Sequence, residues 1–263
     1  MGVLNVTPDS FSDGGRFLDP DAALAHAERM AEEGAAIVDI GGESTRPGAP
    51  GIDSDEELRR VLPVVERVAG RLAVLISVDT SNPALMQRAG AAGAHMINDV
   101  RALRSAGSLA AAAQGNLAVC LMHMQGEPAT MQREPHYADV VSEVRGYLDG
   151  RARACLAAGI ARERLCLDPG FGFGKSTAHN LELLRHLQQF GELGLPVAVG
   201  LSRKSFVNAL TGRTQGERLA GSLALATIAV LHGARIVRAH DVAATVDAVR
   251  IASAARNLNQ GEG

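Results

Sequence analysis

Apolar, β-branched residues recur along the chain in eight short runs, each too short for a helix and each followed by Gly, Pro, Asp or Asn punctuation. The runs are VLNV (3–6), AIVDI (36–40), AVLISVD (73–79), HMIND (95–99), LAVCLMH (117–123), RLCLDP (164–169), VAVGLS (197–202) and ARIVRAH (234–240). Between them the pattern lengthens to that of amphipathic or Ala-rich helices. Asp19 followed by Pro20 predicts a capped helix that Gly34 ends. Ser54 with Glu57 three residues later predicts a capping box opening a helix to about residue 69, kinked at Pro63. Further helices are predicted over 83–91, 104–114, 137–158, 180–190, 217–231 and 241–258. Eight strand–helix alternations without a break in composition predict parallel strands joined by right-handed crossovers. That is an α/β chain closed into one (β/α)8 TIM barrel over residues 1–263, with an open doubly wound sheet as the alternative.

Such barrels place their chemistry at the C-terminal ends of the strands. The residues there are Asn5, Glu43, Asp79, Asn98, His123, Asp168, Ser202 with Lys204, and Arg238 with His240. Singly, a strand-end Asp or Asn is as well explained by a cap or a turn, and for Asn98 and Asp99 the two readings are even. Eight hydrogen-bonding groups on one face favour a site.

Composition narrows the partners. Among 263 residues, 26 basic against 29 acidic side chains leave a charge of −3, and aromatics are 3% with no Trp. Binding to nucleic acid or to an anionic membrane by charge needs clustered basic residues, which are missing. No apolar run reaches the roughly 18 to 20 residues of a bilayer span, and the N-terminus lacks a basic flank before an apolar core. The expectation is a cytoplasmic protein. Cys120, Cys155 and Cys166 lie in or beside apolar runs without CxxC spacing and read as structural.

Three carboxylate or amide side chains, Asp79, Asn98 and Asp168, come from different strands of one barrel and can converge in its mouth. Two carboxylates and an amide suit a heterocycle with an amino-amidine edge, because a carboxylate accepts two parallel N–H bonds from it. Lys204 adds a cation; for a lone buried Asp the alternative is an ion pair with an Arg. Arg238 and His240, two apart on one strand, point the same way, and with Arg203 and Lys204 arriving from strand seven they resemble an anion site. GFGFGKST (170–177) is not a P-loop, since position 169 is Pro, nor does its glycine spacing fit a dinucleotide fingerprint. It reads as a mobile glycine-rich loop with Phe173 as a contact surface and Lys175 as a solvated charge. His123 reads as a satisfied strand-end histidine. The segments 6–15 and 41–51 exceed the usual connection of about 2 to 6 residues and are candidate lids.

Read together, GVLNVTPDSFSDGG (2–15), GGESTRPGA (41–49), SVDT (77–80), INDV (97–100), LMHMQG (121–126), LDPGFGFGK (167–175), SRKS (202–205) and RAHDV (238–242) closely resemble the dihydropteroate synthases of the folate pathway. The resemblance implies a pterin-binding (β/α)8 barrel, a homodimer, and a transferase. The reaction would join 6-hydroxymethyl-7,8-dihydropterin pyrophosphate to 4-aminobenzoate, releasing pyrophosphate. It also implies that Asp79, Asn98, Asp168 and Lys204 hold the pterin, with Met122 lining the pocket. Thr45, Arg46, Arg238 and His240 would bind the pyrophosphate. Asn5 would reach a Mg²⁺ ion, with Asp13 beside it. Phe11, Pro47, Phe173 and Ser205 would shape an aminobenzoate pocket completed by the two long loops, the pocket that sulfonamides mimic their way into. Asp79, Asp168, Lys204, Arg238 and Asp13 carry the chemistry on this reading. Family members carry a short extension ahead of the strand that starts here at Gly2, so weaker support at the bottom of the barrel is expected.

The residue types suit this chemistry on their own terms. A diphosphate neutralised by Mg²⁺, Arg and His leaves readily, and its departure can precede attack, leaving a pterin methylene cation. An aniline amine is nucleophilic at neutral pH, so no activated Ser or Cys is needed. Two alternatives are a pterin-binding methyltransferase barrel, which shares Asp79, Asn98 and Asp168 but has no use for SRKS and RAHDV, and a noncatalytic pterin-binding protein, which would not need Arg46, Lys204 and Arg238.

Overall fold

Eight parallel strands alternate with helices in a computed structural model that describes residues 1–7, 20–43, 52–127 and 130–258. The order is β1 (Gly2–Asn5), α1 (Pro20–Glu32), β2 (Ile37–Gly41), α2 (Ser54–Arg71), β3 (Leu75–Asp79), α3 (Pro83–Ala89), β4 (Met96–Asp99), α4 (Ser108–Gln114), β5 (Ala118–Met122) and α5 (Val140–Ala157). There follow β6 (Leu165–Asp168), α6 (Thr177–Arg185), α7 (Gln188–Gly191), β7 (Ala198–Gly200), α8 (Ser205–Thr211), α9 (Leu219–Leu231), β8 (Ile236–Arg238) and α10 (Val242–Leu258). Strands β1 to β6 form one continuous parallel ladder, and β7 pairs with β8. Two bridges join these pieces: Leu167 with Val197, and Gly2 with Ala239. At the second seam the Val3 amide donates to the Ala239 carbonyl at 3.1 Å. The first strand thus meets the last, which closes the barrel and removes the open-sheet alternative.

Side-chain caps fix the starts of α5 and α6, and several predicted boundaries shift. The capping box at Ser54 does not form: Asp53 is the N-cap, without a side-chain cap bond, and Ser54 is already helical. Its hydroxyl accepts from Asn82 Nδ2 at 2.8 Å instead, and Glu57 is buried against Thr80 and Asn82, the start of the neighbouring unit. Helix α2 continues through Pro63. Helix α5 starts at Val140 because the Asp139 carboxylate accepts from the Val141 and Ser142 amides, both at 3.0 Å. Helix α6 starts earlier than its apolar pattern, at a capping box between Ser176 and His179. Helix α8 was not predicted; it is seven residues long with two buried apolar positions, Phe206 and Val207, too few to set a period.

Alternation along the strands sorts the barrel interior into layers. A lower layer of Met96, Cys120, Cys166 and Ala198 packs with Met1, Ala118 and Ile236. Two residues further up the same strands stand Asn98, Met122, Asp168 and Arg238. An apolar plug below and polar groups above is what places the chemistry at one end. All three cysteines are buried thiols, as predicted. Among the described residues no helix is long and apolar enough to cross a membrane. At the opposite end from the polar layer, a cavity of about 360 Å³ lies between Met1, Ile37, Ile236 and α10.

Candidate active site

The cation on β8 meets the acids of β2 and β3 and the amide of β4 at one rim. Arg238 Nε donates to Asp39 Oδ2 at 2.6 Å, and Arg238 Nη2 to Asp79 Oδ2 at 3.0 Å. Asn98 Nδ2 donates to the same Asp39 oxygen at 3.1 Å. Asp79 stands in register between Gly41 and Asn98, and a Cβ at Gly41 would come within 3.3 Å of the Asp79 Cβ, so glycine there leaves the acid its room. The Asp39 side chain is 0% exposed, Asp79 11% and Arg238 23%, which puts Asp39 beneath the other two. Burial pushes the Asp79 carboxyl up to about 7, against the pull of Arg238. Burial alone would lower Arg238, but Asp39 and Asp79 outweigh it and hold the guanidinium charged.

Asp39 is absent from the predicted site. The available signal was an acid at an inward position of an otherwise apolar strand, a place where a charge persists only with a partner.

Asp168 ends β6 opposite Met122 and accepts from the Gly170 amide at 2.7 Å. Its pKa is raised by burial, opposed by that amide and by Lys204. Lys204 Nζ lies 4.1 Å from the centre of the Phe173 ring, a cation–π distance. Burial and Arg238 lower the Lys204 pKa to about 8, while Asp168 and Asp79 resist. The same lysine therefore feels Asp168, Asp79 and the guanidinium. At Gly172 the backbone is left-handed (φ +78°), and a Cβ would sit 3.1 Å from Lys204 Cδ. Met122, Val100, Met124 and Met131 form an apolar cluster against which Phe173 packs. Asp79, Asn98, Asp168, Lys204, Arg238, Met122 and Phe173 are thus brought together.

Asn98 and Asp99 divide the two readings between them. Asp99 is the cap: it accepts from the Arg101 amide at 2.8 Å, the Leu103 amide at 2.7 Å and the Ser81 hydroxyl. Asn98 belongs to the rim.

Lys175 corrects the expectation of a solvated charge on a mobile loop. It is 3% exposed and donates to His123 Nδ1 at 2.9 Å and to the Gly170 and Phe173 carbonyls at 3.0 and 2.9 Å. A glycine-rich turn leaves inward carbonyls that need donors, and one ammonium supplies three. Burial lowers the Lys175 pKa to about 7. His123, lowered by burial to about 3, is neutral and satisfied as predicted, with the Tyr147 ring edge-on at 4.9 Å.

On the other side of the mouth, His240 pairs through Nδ1 with Ser202 Oγ at 3.1 Å, and its amide donates to the same oxygen at 3.2 Å. Burial and Arg238 lower its pKa to about 4, so it is neutral near pH 7. Arg203 does not join Lys204: its Nε donates to Asp241 at 3.0 Å, a local pair that turns it away. Ser205 is exposed at the first turn of α8. Asn5 ends β1 beside Gly41. Phe11, Asp13, Thr45, Arg46 and Pro47 lie outside the described residues, as do most of the two long loops.

The family model described as "Pterin binding enzyme" matches residues 1–240. The chain is 52% identical over 262 residues to the dihydropteroate synthase of Escherichia coli K12, covering 100% of this chain and 93% of that one. It is 51% identical to that of Haemophilus influenzae, covering 98% and 94%. Among solved structures, Yersinia pestis dihydropteroate synthase with a sulfonamide drug complex aligns with a TM-score of 0.93 at 52% identity, covering 98% of this chain and 94% of that one. The Xanthomonas albilineans enzyme in complex with 7,8-dihydropteroate aligns with a TM-score of 0.88 at 51% identity, covering 97% and 92%. On matches of this length and identity, the chain belongs to the dihydropteroate synthases, transferases within the pterin-binding enzyme family.

Proposed function

We propose that this chain joins 6-hydroxymethyl-7,8-dihydropterin pyrophosphate to 4-aminobenzoate, giving 7,8-dihydropteroate and pyrophosphate, and that the pyrophosphate departs before the amine attacks. The observation that carries the reading is the shared rim on which Asp79, Asn98, Asp168, Lys204 and Arg238 face one another. In relatives of known structure, 4-aminobenzoic acid is bound in one Xanthomonas albilineans structure and 7,8-dihydropteroate in another.

The pterin edge is an array of N–H donors, and Asp168 and Asp79 can accept from it in pairs when they carry their charge. Asn98 offers both a donor and an acceptor, and Met122 lies along the flat ring. As pyrophosphate leaves, positive charge grows on the pterin methylene beside these carboxylates, and negative charge grows beside Arg238, with Arg46 and Thr45 contributing from the second loop. Neutral His240 contributes an N–H rather than a charge, so the cationic share falls on the guanidinium groups and on Lys204. Phe173, Ser205, Phe11 and Pro47 would flank the incoming aniline. A barrel that only transferred methyl groups, or only bound a pterin, would have no need of Arg238 at this rim.

A hard divalent cation commonly takes one or two protein oxygens and keeps waters and phosphate oxygens for the rest. The Asn5 amide, half-buried at the end of β1 and without a hydrogen-bond partner among the described residues, fits that donor set. Mg²⁺ would be held by Asn5, with Asp13 beside it, and, when bound, would neutralise the leaving diphosphate.

The whole chain, residues 1–263, acts as one barrel domain in this reading, and its soluble substrates support a cytoplasmic site of action. A homodimer is supported by α9. One face of α9 is buried through Leu225, Ala226 and Val230, while Ile228 and Leu231 stay 39% and 43% exposed on an otherwise apolar helix. The test of the reaction is turnover: the folded protein given the pterin pyrophosphate, Mg²⁺ and 4-aminobenzoate should release pyrophosphate and dihydropteroate in equal amounts. Folded protein that yields neither would reject the reading.

A further inference from the structure

Asp39 stands apart from the residues discussed so far because it lies under the rim and touches both halves of it. It sits in the middle of β2, in register with Val3 and Ser77, and its side chain is fully buried. Its Oδ2 accepts from Arg238 Nε at 2.6 Å and from Asn98 Nδ2 at 3.1 Å. Those donors belong to β8 and β4, which are not neighbours in the barrel, so one carboxylate oxygen ties opposite walls across the interior. All three residues come from even-numbered strands, which in such barrels share interior layers.

The remaining bonds define what Asp39 does. With Nε on Asp39 and Nη2 on Asp79, the guanidinium plane is held at two points, and Nη1 has no protein partner among the described residues. A planar fork held in that way has little freedom to swing, whereas a single contact would leave it one axis of rotation. The same oxygen takes one hydrogen of the Asn98 amide, which settles that amide's plane relative to the guanidinium. Asp39 Oδ1 is buried and has no hydrogen-bond partner among the described residues, so the hydrogen bonds seen there that hold the side chain run through Oδ2. At 0% exposure Asp39 has no direct access to a ligand in the mouth.

We propose that Asp39 is a positioning residue that couples the two sides of the mouth, holding Arg238 for the diphosphate and Asn98 for the pterin ring in one fixed relation. The proposal rests on the function given above. It separates from a purely structural role, in which Asp39 merely offsets the burial of Arg238, because positioning must show in substrate affinity while the fold persists.

The experiment uses the whole chain with Asp39→Asn, which keeps the shape and removes the charge. Circular dichroism and a thermal melt establish that it is folded. With saturating 4-aminobenzoate, kcat/KM for the pterin pyrophosphate should fall roughly 10- to 100-fold, by analogy with the loss of groups that orient metal ligands. KM for 4-aminobenzoate should stay within about twofold of wild type, an order-of-magnitude expectation for a group remote from that pocket. In an Arg238→Lys background, Asp39→Asn should cost less than in wild type, since the part of its action that runs through the guanidinium is already lost. Folded Asp39→Asn protein with a wild-type KM and kcat, or effects of the two substitutions that simply multiply, would overturn the proposal. Should Asp39→Asn not fold, Asp39→Glu retains the charge and displaces both contacts by one methylene. It should melt near wild type yet lose kcat/KM, and unchanged kinetics there would overturn the proposal equally. Wild-type protein that makes no dihydropteroate would instead sink the functional reading, an outcome distinct from either.

Discussion

Lys204 and Asp79 show how burial sets the working pH of the mouth from two directions. In the proposed function Asp79, pushed up to about 7 by burial, has to be ionised to accept from the pterin, and Lys204, lowered to about 8, has to keep its proton. Below the first value the acid is neutral; above the second the ammonium is lost. The profile of kcat/KM for the pterin pyrophosphate, which reports the free protein, is therefore expected to rise through pH 7 and fall through pH 8. Lys204→Arg should remove the alkaline limb and leave the acid limb in place, because a guanidinium does not titrate in that range. A profile flat from pH 6 to 9 would contradict both assignments. Much of the rim was legible residue by residue, since Asn98, Asp168 and Arg238 stand at predicted strand ends. Asp39 and Lys175 were not. Asp39 is defined by partners 59 and 199 positions away, and Lys175 by backbone carbonyls whose direction depends on how the loop turns.

Among the elements, the turn after β6 carries the tightest constraint. Gly170 and Gly174 both have left-handed backbones, and a Cβ would lie 1.9 Å from the His123 carbonyl oxygen at the first and 2.4 Å from that of Gln125 at the second. Gly212 has a similar φ of +70° but nothing within 4 Å. Gly212→Ala should thus cost only the conformational penalty, roughly 1–2 kcal/mol, and leave substrate KM values alone. Gly170→Ala adds a backbone collision, so its cost should exceed the roughly 1–3 kcal/mol of a strained residue. It should also raise the KM for the pterin substrate by displacing Asp168 and Phe173. Thermal melts with kinetics on the two variants check this, and equal behaviour would show that the turn has slack. The strands were readable because eight apolar runs with polar ends have few other uses. Helix starts were less so: Ser54 was drawn into a contact with Asn82 from the next unit, a tertiary preference that no local motif contains.

For the whole molecule, closure of the barrel is what turns eight separate strand ends into one mouth. The pairing of Gly2 with Ala239 brings Arg238 against residues that precede it by 159 and 199 positions. The count of units favours a closed barrel over an open sheet, and which residues face inward follows from the two-residue period. Neither says which inward residues bond to one another, and that information came only with the three-dimensional arrangement. The exposed face of α9 makes an expectation at this scale: sedimentation velocity should give a particle of twice the chain's mass, and Ile228→Glu with Leu231→Glu should halve it without unfolding the barrel. A wild-type monomer at micromolar concentration would contradict the homodimer.

The account depends above all on a mouth with a ring side and a diphosphate side. Calorimetric affinities for 6-hydroxymethylpterin and for its pyrophosphate ester, measured on wild type, Asp168→Asn and His240→Ala, test this most directly. Asp168→Asn is predicted to weaken both ligands by a similar factor, and His240→Ala to weaken only the ester. Unchanged binding of the pterin alcohol to Asp168→Asn, or equal losses for both ligands in His240→Ala, would contradict it.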